Sequence, residues 1–230
     1  MHLARTSICG SPHVGFFGIV TNRWGIFPPA VKEVLLEKAE KIFDIDYIAV
    51  TSISNSPLAG LFCVGNSNGI ILPYIVEKSE IKHIEKSFEG LGLNIAIIQS
   101  ELTALTNLFS ANDKICIADT VVPKEICKTV EDILDVEVVR FRFEHQVLSG
   151  ACLFITDKGG VIYPDATENE IEELKNITGL HIQIATVNHG SPYVNSGIIA
   201  NSHGFIVGDK TTGPEIARID EALGFIKTYY

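Results

Sequence analysis

The residues best suited to covalent chemistry are five cysteines: Cys9, Cys63, Cys116, Cys127 and Cys152. A reactive thiol needs a partly exposed setting beside positive charge. Cys63 and Cys152 stand instead in apolar runs, L-F-C63-V and A-C152-L-F, and read as packing residues of apolar strands. Cys9, in a loop ahead of a strand, is the remaining candidate nucleophile. His2, His13, His83, His145, His181, His189 and His203 are scattered, with no H-x-x-x-H and no C-x-x-C beside them, so no metal site is expected. No G-x-x-x-x-G-K-[ST] or G-x-G-x-x-G offers a phosphate cradle, and no G-x-S-x-G offers a serine elbow. The expectation is a protein without catalytic residues, cofactor or metal.

What recurs is a turn. An apolar run, a small residue, Asn or Asp, and a second apolar run appear five times. They read V-T-N22-R-W-G-I-F-P, V-G-N66-S-N-G-I-I-L-P, S-A-N112-D-K-I-C-I-A, I-T-D157-K-G-G-V-I-Y-P and I-A-N201-S-H-G-F-I-V-G. The steps between the numbered residues are 44, 46, 45 and 44. A period of this size marks a repeat architecture, whose units bury apolar faces against one another.

The second unit shows the plan. Gly60 to Gly65 is a mostly apolar run suited to a strand. Asn66 to Gly69 form a turn tolerant of positive φ, Ile70 to Leu72 return, and Pro73 stops the strand. Ile81, Ile84 and Phe88 make one stripe of a helix from Ser79 to about Phe88. Asn94 to Ile98 is a third strand. Comparable stripes occur at Val31/Val34/Leu35/Ile42, Ile126/Val130/Ile133, Ile171/Leu174 and Ile216/Ile219/Leu223, and Thr167 with Glu170 fits a capping box. Each unit is therefore ββαβ in an α/β fold, with approximate limits 9–52, 53–100, 101–143, 144–187 and 188–230. The third unit carries N112-D-K where its siblings carry Gly, so its turn is expected to differ. The fifth unit lacks a third strand, and residues 2–8 are expected to supply it, closing one ring-shaped domain without free sheet edges.

With 18 basic and 28 acidic residues the formal charge is −10. That charge repels phosphate backbones and argues against autonomous nucleic-acid binding. No apolar stretch approaches the roughly 20 residues of a membrane helix. The start lacks a secretory signal. A soluble, cytoplasmic monomer is expected.

The loops entering the five units are equivalent in position: Cys9–Gly15, Ile53–Gly60, Leu102–Asn107, His145–Gly150 and Asn188–Gly197. None of these 37 residues is Asp, Glu, Lys or Arg, although charged residues form 20% of the chain. In a closed ring they gather at one end of the axis, either packed where strands converge or as a docking face depleted of charge. The candidate contact residues are Pro12, His13, Ser56, Pro57, Leu58, Thr103, Leu105, Asn107, Val147, Leu148, Tyr193 and Asn195.

The phrases C-V-G-N66-S-N-G-I-I-L-P, L-T-A-L-T-N107, D-V-E-V-V-R140, D-K-G-G160-V-I-Y-P, T-V-N188-H-G-S and G-D209-K-T-T-G-P-E215 resemble archaeal and eukaryotic translation initiation factor 6, in order and spacing, over nearly the whole chain. The resemblance implies a pentein, a five-bladed α/β propeller with pseudo-fivefold symmetry. It implies a factor that binds the large ribosomal subunit beside the sarcin–ricin loop, mainly through a ribosomal protein there. Such a factor keeps the small subunit away and takes part in large-subunit maturation. Asn107 matches a subunit-contacting loop of that family; the other candidates rest on ring geometry. The extended tail of eukaryotic members is not matched, so an archaeal-type member without tail phosphorylation is expected. Two alternatives are a guanidino-modifying pentein hydrolase and a scaffold for a non-ribosomal protein. Against the first, that chemistry takes its cysteine from the last repeat, and no cysteine follows Cys152.

Overall fold

Branched apolar residues on either side of each polar turn build a three-stranded sheet, and the computed structural model, which describes residues 2–144 and 148–226, contains five such sheets. In each, a short strand pairs antiparallel with a buried central strand, which in the first four pairs parallel with the strand beyond a helix. The first four are Ile19–Val20, Trp24–Phe27 and Tyr47–Val50; Val64–Gly65, Gly69–Pro73 and Asn94–Ile98; Phe109–Ala111, Ile115–Asp119 and Glu137–Phe141; and Leu153–Ile155, Gly160–Ile162 and Ile182–Ile184. The fifth joins Ile198–Ala200 and Phe205–Gly208 to Leu3–Thr6. The N-terminal strand thus closes the five-bladed propeller, as expected.

The crossover helices are Glu33–Phe43, Lys78–Ser87, Lys124–Leu134, Glu168–Thr178 and Gly213–Ala222. Each buries one apolar stripe, for example Cys127, Val130 and Leu134 in the third. The Thr167–Glu170 capping box starts the fourth, and Gly179 ends it at φ 67°. None of the helices among the described residues is long and apolar enough to cross a membrane.

The core lies between units, not inside them. Trp24, Ile26 and Ala49 of the first unit pack with Ile70, Leu72 and Ile84 of the second. Val64, Ile71 and Ile98 meet Phe109, Val130 and Leu134 across the next seam. The last seam joins Ile199 and Ile206 to Phe17, Phe27 and Phe43. Within the fifth unit the N-terminal segment is tied to the last helix, where His2 Nε2 meets Asp220 Oδ1 at 2.9 Å and the His2 ring stacks on Phe225 at 5.1 Å.

Three details depart from the sequence reading. Only Val64–Gly65 of the Gly60–Gly65 run is strand; Ala59–Phe62 is one helical turn, so Cys63 lies at a helix end. Second, the equivalent turn residues are Thr21, Asn66, Asn112, Thr156 and Asn201, whose N–H groups donate to the carbonyl three residues on at 2.8–3.1 Å. Asn22 and Asp157 sit one place later. Third, the turn of the third unit does not differ: Asn112 Oδ1 accepts from Lys114 N–H at 2.8 Å and Ile115 N–H at 2.9 Å, as Asn66 Oδ1 does from Asn68 and Gly69. Nor do Gly69 and Gly204 have positive φ. A Cβ there would stand 2.4 Å from Ile133 O or 2.5 Å from His2 O, so glycine answers the neighbouring backbone's approach.

The same asparagines stitch the seams. Asn66 Nδ2 donates to Asn112 O at 3.2 Å and Leu134 O at 2.8 Å, and Asn201 Nδ2 to Thr21 O at 2.9 Å and Phe43 O at 2.7 Å. Where the first unit has Thr21, the Trp24 indole N–H crosses to Asn66 O at 2.8 Å. Replacing Asn201 by Ala removes buried bonds on both sides of the closing seam. Chemical denaturation is expected to show a loss of about 3 kcal/mol, and a loss under about 0.5 kcal/mol would contradict this role.

Candidate functional site: the axial funnel

Between each entering loop and its first strand the chain makes one short helical turn: Val14–Phe16, Ala59–Phe62, Leu105–Asn107, Ser149–Cys152 and Val194–Gly197. The five touch in a closed circle. They lie at the opposite end of the strands from the Asn turns. Their second residues set how closely they pack. A Cβ on Gly15 would lie 2.0 Å from Asn195 O, and on Gly60 2.1 Å from Gly15 O. Where the second residue is polar, it ties the neighbour. The Thr106 hydroxyl donates to Cys63 O at 2.9 Å, and Asn195 Nδ2 to Gly150 O at 2.8 Å.

The third residues, Phe16, Leu61, Asn107, Ala151 and Ser196, face a common space on the axis. With Leu148 and Tyr193 they enclose a funnel of about 210 Å³ whose lining carries no charged side chain. Leu148 is 39% and Tyr193 49% exposed, so the funnel keeps large apolar groups in water. The His13 ring stacks on Phe16, 5.7 Å between centroids. Its Nδ1 lies 3.1 Å from Ser196 Oγ, whose proton goes to Tyr193 O at 2.7 Å, so the imidazole nitrogen is the donor.

Beneath the funnel the axis holds a cavity of about 80 Å³, lined by residues such as Val20, Cys63, Phe109, Ile155 and Ile199. Among the described residues, Cys63 is the one thiol there, and no histidine, carboxylate, lysine or arginine lines it. Burial pushes the Cys63 and Cys116 thiols far up, and Cys152 to about 12. Among the described residues, no organised thiol–imidazole–carboxylate set exists in this channel. No group of three or more His, Cys, Asp or Glu among the described residues could hold a metal. The far end is closed by Asn22, Ser67, Asp113, Asp157 and Ser202. Asn22 Nδ2 donates to Asp113 Oδ2 at 2.9 Å and to Asp157 Oδ2 at 2.7 Å.

Asn107, Leu148, Tyr193 and Asn195 of the sequence candidates come together in the funnel. His13 reaches it through Phe16 and Ser196, while Pro12, Ser56, Pro57, Leu58 and Thr103 lie at least partly exposed in the surrounding loops. Leu105, 1% exposed, packs in the core and offers nothing to a partner. Asn195 is 8% exposed and committed to Gly150 O, so its part is structural. Val147 lies outside the described residues. Phe16, Leu61, Ala151 and Ser196, absent from the sequence candidates, line the funnel as well; each occupies the repeat position of Asn107 and is found by aligning the units there.

Glutamates at the third position of three crossover helices hold the entering loops. Glu80 accepts from Ser52 Oγ at 2.7 Å and from the N–H groups of Ser54, Asn55 and Glu77 at 2.7, 2.9 and 2.9 Å. Glu215 accepts from Thr186 Oγ1 at 2.7 Å and from the N–H groups of His189, Gly190 and Thr212 at 3.2, 2.8 and 2.7 Å. Glu170 takes the Glu144 and Thr167 N–H groups, both at 2.7 Å. Left-handed backbone at Ser54, Asn55, Asn188 and His189 shapes two of these loops. Burial raises the Glu215 carboxyl, but the bonds from Thr212, Thr186 and Gly190 outweigh it and bring the pKa from 4.5 to about 2. Because the folded value is depressed, this stabilisation is complete above pH 4.5 and is lost as pH falls towards 2. Glu215→Gln should cost about 2 kcal/mol at neutral pH in urea unfolding. The gap to the unsubstituted protein should close over that acid range; a gap independent of pH would refute the assignment.

Comparison with known proteins fits this architecture. The eIF-6 family model matches residues 3–222. Translation initiation factor 6 of Thermococcus onnurineus is 38% identical over 228 residues, 98% of this chain and 100% of that one. The factor of the same name from Staphylothermus marinus is 36% identical over 97% and 98% of the two chains, and that from Saccharolobus islandicus 32% over 97% and 100%. Among solved structures, a dimethylarginine dimethylaminohydrolase adduct with S-methyl-L-thiocitrulline superposes with a TM-score of 0.51 at 10% identity, covering 92% of this chain and 73% of that one. That likeness concerns the fold alone. From the family match and these relatives, the chain belongs to the eIF-6 family, as a member of the archaeal type.

Proposed function

We propose that this protein docks on the large ribosomal subunit with its funnel end and prevents joining of the small subunit by occupying the intersubunit face. The observation that carries the reading is the uncharged, partly apolar funnel to which all five units contribute. Interfaces with protein are depleted of charge at their centres, whereas phosphate-binding faces are rich in Lys and Arg. A chain of net charge −10 that presents such a face suits a basic ribosomal protein beside the sarcin–ricin loop better than bare RNA. Family membership supports the same partner, a cytoplasmic setting and a part in large-subunit maturation. The mechanism is steric exclusion: a rigid monomer seated on one surface leaves no room for another, and no bond is made or broken. A hydrolase reading gains nothing from the fold likeness, since among the described residues the axial cavity holds no base to activate Cys63.

Co-sedimentation with separated ribosomal subunits tests the proposal. The protein should migrate with the large subunit alone, and Asn107→Ala combined with Tyr193→Asp should weaken that binding about tenfold or more while leaving thermal unfolding unchanged. Glu173→Ala on the outer helix should not affect it. Equal binding to both subunits, or a double variant that binds as before, would overturn it.

A further inference from the structure

The glutamate clamp has a vacancy in the first unit. At the third helical position, where other units carry Glu80, Glu170 and Glu215, the first carries Leu35. The donors are nevertheless in place. The bridge Ile8–Ser11 corresponds to Ile53–Ser56 and Val187–Ser191, and fixes the register. Ser7 therefore stands where Ser52 and Thr186 give their hydroxyls. Cys9 and Gly10 stand where Ser54 and Asn55 give N–H groups, with matching left-handed φ of 52° and 75° against 56° and 58°. The Lys32 N–H corresponds to those of Glu77 and Thr212. Among the described residues, none of the Ser7 hydroxyl, Cys9 N–H, Gly10 N–H and Lys32 N–H groups donates a hydrogen bond. The third unit has Ile126 at the glutamate position, but the residue capping its helix is Pro123, which has no N–H to offer.

Space accompanies the free donors. A cleft of about 430 Å³ opens here, lined by Thr6, Ser7, Cys9, Lys32, Leu35 and Lys38 among others. It contains two lysines and no acid, and Val34 beside them is 63% exposed. The same fold fills the equivalent place with a carboxylate on four donors in the second unit and on the corresponding four and the Thr212 hydroxyl in the fifth. An apolar wall of Val31, Val34 and Leu35 suits the aliphatic stem of a side chain, and the volume leaves room for flanking backbone.

We propose that this cleft binds a carboxylate, supplied by a glutamate side chain of a partner polypeptide, in the position that Glu80 and Glu215 occupy elsewhere in the ring. The site is separate from the funnel and does not depend on the ribosomal reading. The probe is the blocked tripeptide acetyl-Ala-Glu-Ala-amide, followed by amide NMR of the full chain, with acetate and inorganic phosphate as comparators. The peptide should shift the Cys9, Gly10 and Lys32 amides saturably. Leu35→Glu should move the same amides without ligand and abolish the response, whereas Leu35→Met should retain it. The pair Lys32→Ala and Lys38→Ala, which leaves the packing untouched, should weaken binding about threefold or more. Absence of a saturable shift, or an undiminished response in Leu35→Glu or in the lysine pair, would overturn the proposal. Acetate binding as tightly as the peptide would overturn the polypeptide source, and tighter phosphate binding the carboxylate assignment.

Discussion

Everything in this molecule depends on where its apolar surface is buried: at the seams. Each of the five core clusters draws on two consecutive units, and the last joins the fifth unit to the first. An isolated ββαβ unit would leave one face of its sheet and one side of its helix in water. Burying each such side chain contributes about 1.5–3 kcal/mol. The array therefore gains most when it closes, and closure needs the parallel pairing of Leu3–Thr6 with Phe205–Gly208. Polar residues then select the register: an amide at Asn66 or Asn201 fits only when the neighbour's turn and helix end are both in place.

Closure also creates the funnel. Five one-turn helices can meet around an axis only if their second residues are glycine or make a bond to the neighbour, which Gly15, Gly60, Thr106, Gly150 and Asn195 satisfy. The third residues then converge, and a surface that no single unit possesses appears. The glutamates hold the loops outside this circle from the helix starts, so the funnel is fixed by elements reaching the solvent side. Among the described residues the axial cavity beneath it is lined by one deeply buried thiol and no base.

Much of this was legible in the chain. The Asn66-to-Gly69 and Asn201-to-Gly204 turns give the period, helix stripes give the crossovers, and the missing last strand points to the N-terminus. The phase of the repeat was not legible, because threonine replaces asparagine in two units. Thr21 Oγ1 accepts from the Arg23 and Trp24 N–H groups at 3.2 and 3.1 Å, doing the work of an Asn Oδ1. Nor could Gly60–Gly65 be separated into turn and strand, since a short apolar run lacks the length to show a period. The absence of charge in the entering loops pointed to the end of the ring where the funnel forms. It could not separate Leu105, turned into the core, from Asn107, turned to the axis.

The account stands on which end of the ring meets the ribosome. A photo-crosslinking benzoylphenylalanine placed at position 193 on the funnel rim, and separately at position 203 beside the opposite turns, would report this directly on isolated large subunits. The account predicts crosslinks to a ribosomal protein from position 193 and none from position 203. Crosslinks from position 203 with none from position 193 would contradict it.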